Sequence, residues 1–124
     1  MANTQLNAQW VNETPQIDIN VIFDIYGEEG EDILQYALSA FCLEASKYVA
    51  QLHLAVAKVD EVEASRLFHS LKTMSAMIGA RQLSRLCAEL EMLLLKSTEF
   101  ELKYDAFLQL WPLILTELEQ HLGH

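Results

Sequence analysis

At 124 residues with 52% hydrophobic side chains, the chain is long enough to build one core and too apolar to remain disordered. Eighteen acidic residues against eight basic ones give a formal charge of −10, so there is no clustered basic face for a nucleic acid or an anionic membrane surface. Its apolar runs, Met92 to Leu95 among them, fall far short of the roughly 20 residues a membrane helix needs, and no secretory signal is visible, so a cytoplasmic protein is expected.

Residues 1–16 are polar, with Trp10 and Val11 the only larger apolar pair after Leu6, and read as a flexible N-terminal arm. The domain is expected over residues 17–124. From Ile17 to Tyr26 an apolar-rich stretch predicts a short first helix, although its β-branched content also suits a strand. Gly27 and Gly30 then punctuate the chain. A long helix is predicted from near Glu31 and Asp32, whose charges favour a helix N-terminus. It follows an i, i+3/i+4 rhythm through Leu34, Leu38, Phe41, Cys42, Ala45, Tyr48, Val49 and Leu52, and ends near Lys58.

Asp60 with Glu63 approximates a capping box for the next helix, on which Leu67, Leu71, Met74 and Ile78 form an apolar stripe. Gly79 is a natural stop. Another helix follows from about Arg81, with Leu83, Leu86, Cys87, Leu90, Leu93 and Leu94 on its buried side. Ser97 and Thr98 mark a break. The last helix is predicted from about Tyr104 to Leu122, and Pro112 inside it should kink it or mark two abutting segments. The expected fold is all-α: an antiparallel up-down-up-down four-helix bundle with a short extra N-terminal helix.

His69 stands out. It comes two residues after Leu67 and so projects from nearly the opposite side of that helix, toward solvent. Lys72 lies one turn on along the same outward face, and Arg66 one turn before. An exposed imidazole is largely neutral at neutral pH and nucleophilic. A phosphorylated ring nitrogen would carry a dianionic group, which Lys72 can stabilise as a point charge and Arg66 can assist. On spacing alone, an exposed helical histidine is most often an inert surface residue. His53 reads as such a boundary or surface residue, and His121 and His124 lie in the terminal tail.

Other chemistries find little support. Cys42 and Cys87 read as small buried hydrophobes, with no CxxC or Cys/His ligand spacing. Ser70 points about 100° away from His69, which is not a nucleophile–base pair. No Glu-x-x-His pair is present for a metal site in the bundle, and Gly27 and Gly30 do not make a phosphate loop. The acidic cluster of Glu28, Glu29, Glu31 and Asp32 is most simply a helix N-terminus.

The stretch from Leu67 to Glu91, LFHSLKTMSAMIGARQLSRLCAELE, resembles the signature of histidine-containing phosphotransfer (HPt) domains. His69, Ser70, Leu71 and Lys72 fit its first block. Ser75, Ala76, Ile78, Gly79 and Ala80 fit the second, and Leu83, Leu86, Cys87, Leu90 and Glu91 the third. The resemblance extends more loosely over residues 17–122. It implies a phosphorelay intermediate: His69 takes a phosphoryl group from a receiver aspartyl phosphate and passes it to another receiver aspartate. It implies partners too, namely response-regulator receiver domains and a hybrid sensor kinase, with magnesium supplied by the receiver, no cofactor or ATP site in this chain, and a monomer. Glu91 aligns with a polar position that, in related proteins, hydrogen-bonds and orients the histidine. Two departures stand out: Thr73 where the family usually has glycine, and Met74 where it usually has a small residue. They support the alternative of an HPt-like adaptor that binds a receiver or other helical partner but carries no phosphate.

Overall fold

The structure, a computed structural model, describes residues 16–122. Among them it is all-helical: α1 (Asn20–Tyr26), a 3₁₀ turn (Gly27–Glu29), α2 (Gly30–Ala57), α3 (Glu61–Met77), α4 (Arg81–Glu91) and α5 (Thr98–His121). In α1 the helical reading prevails over the strand. Ile19, Ile22 and Phe23 share one side, Ile22 is fully buried, and Asp18 Oδ1 accepts from the amide of Asn20 at 3.1 Å.

Helix α2 covers about 42 Å at the usual rise and buries Leu38, Phe41, Ala45, Val49, Leu52 and Ala55 at helical spacing. Cys42 is only half-buried, so of the two cysteines Cys87 alone is a fully covered thiol. Helix α3 opens where expected, with Asp60 Oδ1 accepting from Glu63 N at 3.1 Å. Its buried stripe is Ala64, Leu67, Phe68, Leu71 and Ser75; Met74 turns partly outward toward α2. The Ser75 hydroxyl is buried without a hydrogen-bond partner among the described residues, and nothing in the structure explains it.

The α3–α4 turn depends on Gly79. Its φ of +78° is a left-handed conformation suited to glycine, and the amide of Asp18 donates to its carbonyl at 3.0 Å. A side chain there would collide with the backbone of Asp18. This contact, with the Arg81–Asp18 ion pair at 3.4 Å, stitches the N-terminal segment onto the turn.

The structure corrects the second half of the sequence reading at two places and narrows it at a third. Leu94 is exposed rather than inward, because α4 ends at Glu91 and its periodicity ends there; Leu95 goes inside instead, its amide held by Glu61. The last helix begins at Thr98, not near Tyr104, because Ser97 Oγ caps it by accepting from Phe100 N at 3.1 Å. At the third, helix α5 runs through Pro112 as one element, which excludes two abutting segments. The carbonyl that loses its amide partner belongs to Leu108, on the exposed side, where water can satisfy it.

Helices α2 to α5 form the antiparallel bundle, α3 lying between α2 and α4 while α5 closes the ring. Within the core Phe68, Phe100, Tyr104 and Phe107 interlock, Phe68 meeting the others edge-on at 5.9 to 6.5 Å. Phe68 therefore anchors the backbone from which His69 points outward. Of the expected arm, residues 1–15, Trp10 among them, lie outside the described residues. Gln16 is buried, and its amide donates to the Glu117 carboxylate on α5 at 2.6 and 2.8 Å.

Candidate functional site

His69 sits midway along α3 with 61% of its side chain exposed, beside the seam with α4. Two serines pin that seam. Ser65 Oγ donates to the carbonyl of Glu91 at 3.3 Å, and Ser84 Oγ to the carbonyl of Lys72 at 2.8 Å. Ser65 and Lys72 are seven residues apart on α3, as Ser84 and Glu91 are on α4, so each pair lies on one face. The antiparallel packing sets the two faces together.

That register delivers Glu91 to His69. Its carboxylate, 17% exposed, grips two groups at once: His69 Nδ1 at 2.8 Å and Lys72 Nζ at 3.0 Å. Burial works against the charge on Glu91, but the hydrogen bonds and positive charges of Lys72 and His69 outweigh it and hold the carboxyl below its ordinary range. An ionised carboxylate can only accept, so the proton of the neutral ring resides on Nδ1. Nε2 keeps its lone pair. The site thus presents an oriented nucleophile with a cation one turn away.

The other predicted residues fall differently. Arg66 is drawn away from His69 into a two-point pair with Glu63, Nε to Oε1 at 2.7 Å and Nη2 to Oε2 at 3.0 Å. Thr73 is exposed beside His69, and its hydroxyl turns back to the His69 carbonyl at 3.5 Å. Cys87 lies beneath, its thiol pushed far up by burial and by the charge of Glu91, so it stays protonated. The sequence reading missed Ser65 and Ser84, although their seven-residue spacing to Lys72 and Glu91 was there to see.

Two hollows open beside the C-terminal half of α3, beyond His69. On the α2 side a groove of about 250 Å³ is lined by Tyr26, Tyr36, Ala40, Met74 and Met77. On the α4 side a depression is lined by Val21, Ala76, Arg81, Ser84 and Arg85. Among the described residues, no three His, Cys, Asp or Glu side chains are grouped to hold a metal ion, and no helix is long and apolar enough to cross a membrane.

The family model for the Hpt domain matches residues 37–122, which is most of the chain and includes His69, Lys72 and Glu91. No curated protein and no solved structure matches it.

Proposed function

This chain belongs to the Hpt domain family, whose members carry phosphoryl groups in phosphorelay signalling, and from that premise we propose that His69 Nε2 is its phosphoacceptor. The donor is the aspartyl phosphate of one receiver domain and the final acceptor is the aspartate of another. The observation that carries this reading is the double grip of Glu91 on His69 and Lys72.

In the first step the Nε2 lone pair attacks phosphorus while the bond from phosphorus to the aspartyl oxygen breaks. No proton has to move. Nδ1 keeps its hydrogen on Glu91, and the ring becomes a cation that this carboxylate balances. Lys72 faces the charge of the phosphoryl oxygens. In the second step a receiver carboxylate oxygen attacks, the bond from Nε2 to phosphorus breaks, and the ring departs as neutral imidazole. The receiver brings the magnesium ion and its acidic pocket, so the chain works without an ATP site or a cofactor. A cytoplasmic monomer, fed by a hybrid sensor kinase, goes with this reading.

The test is a transfer assay against a panel of phosphorylated receiver domains. The wild-type chain should be labelled, and His69→Gln should not be, with its helical signal retained. Labelling that persists in His69→Gln would remove the assignment. Stable complexes without transfer would favour the adaptor reading, for which the branched Thr73 beside His69 is the supporting observation.

A further inference from the structure

The surface around His69 is chemically lopsided. Its α2 side is the apolar groove, where Tyr36 is 77% and Met77 49% exposed. Its α4 side carries cations. Lys72, Arg81 and Arg85, three of the eight basic residues in a chain of net charge −10, all lie along the α3–α4 seam or on α4.

Their charges are not equally available. Lys72 is bound to Glu91, and Arg81 to Asp18. Arg66, Lys47 and Lys103 are matched by Glu63, Glu44 and Glu89. Arg85 is exposed, and its guanidinium makes no hydrogen bond or ion pair with any described residue. The side chains of Lys58 and Lys96 have none either, but they sit in the connections at the far end of α3. Among the described residues, Arg85 is thus the unneutralised cation beside the C-terminal half of α3. The bond from Ser84 to the Lys72 carbonyl fixes its backbone against the helix that carries His69.

Arg85 also faces the right surface. It lines a depression shared with Ala76, which lies seven residues beyond His69 on nearly the same side of α3, about 10 Å along the axis. We infer that Arg85 is an electrostatic docking residue, which draws the acidic rim of a receiver's phosphorylation pocket onto the α4 side of His69. This rests on the relay reading above. A partner that holds a divalent cation with carboxylates beside its aspartyl phosphate has such a rim. With charge attraction on one flank and apolar contact on the other, the receiver has one favourable orientation over Nε2. A charge that does not touch the phosphoryl group acts through a field that salt screens, so the effect belongs to encounter and orientation rather than to chemistry.

The experiment compares wild type, Arg85→Glu and Arg85→Lys as acceptors from the receivers that label His69, and in direct loading by phosphoramidate, which needs no docking. Arg85→Glu should lower kcat/KM about tenfold at low salt through a raised KM, with kcat retained, and the gap should close toward ~0.5 M salt. Arg85→Lys should stay near wild type, and phosphoramidate should load all three equally. If Arg85→Glu matches wild type at low salt, or its defect persists at high salt, the docking role falls and the relay reading stands. If no receiver labels the wild-type chain, both fall together.

Discussion

Two histidines in this bundle make nearly the same contact and differ in what the contact does. His69 Nδ1 meets Glu91 at 2.8 Å across the α3–α4 seam, and His53 Nδ1 meets the Tyr104 hydroxyl at 2.9 Å between α2 and α5. Both rings are exposed at the surface. The partners decide the difference. Burial raises the phenol of Tyr104 and keeps it neutral, and a neutral hydroxyl can donate or accept, so it leaves the tautomer of His53 open. A carboxylate accepts only, which commits His69 to a free Nε2. Glu91 also gathers Lys72, whereas among the described residues no cation is hydrogen-bonded into the His53 pair. A helical histidine becomes a candidate phosphoacceptor through its partner's charge, not through its own exposure.

The comparison can be broken most sharply at the two rings. His69→Gln should abolish labelling, and His53→Gln should leave it unchanged; equal loss in both would mean that the contrast is false. Next is Lys72→Ala, expected to slow transfer on the order of 10–100-fold in single-turnover kinetics, because in the proposed mechanism Lys72 supplies the charge that faces the phosphoryl oxygens. Glu91→Gln should cost about tenfold in the same assay, the worth of one charge-assisted hydrogen bond.

The Glu91 variant also carries a pH signature. Folding depresses this carboxyl, so its contribution to stability is complete at neutral pH and is lost as the pH falls below about 4.5. In acid titrations followed by circular dichroism, wild type should therefore lose more stability than Glu91→Gln between about pH 5 and pH 3. The smallest effect is expected at the other histidine. Tyr104→Phe should lower stability by about 1 kcal/mol or less, by denaturant melts, and leave transfer untouched.

Much of this was legible in the chain itself. The ends of α3 announce themselves through Asp60 with Glu63 and through Gly79, and outward His69 follows from its offset to Leu67. The start of α5 was missed because its first turn is mostly polar, so the apolar rhythm pointed to Tyr104, while the true signal was the Ser97 cap. Leu94 misled for a related reason, since a periodicity carries no mark of where its helix stops. At the site, residues on one helix were placed well and residues across helices were not. Arg66 lies within reach of both His69 and Glu63, and a carboxylate three residues away on the same helix was the better partner. Ser65 and Ser84 act only once α3 and α4 have a fixed register, which no single helix encodes.

The clasp of Gln16 and Ile17 on Glu117 bears on how the chain finds this shape. The bundle is wound from consecutive neighbours, so most of its contacts are local and its loops close early. The amides of Gln16 and Ile17 instead find their acceptor 101 and 100 residues downstream, the longest spans among these bonds. Joining chain so remote gains nothing until α5 has docked, which sets the clasp as a late event, closed over a bundle that already holds His69 against Glu91.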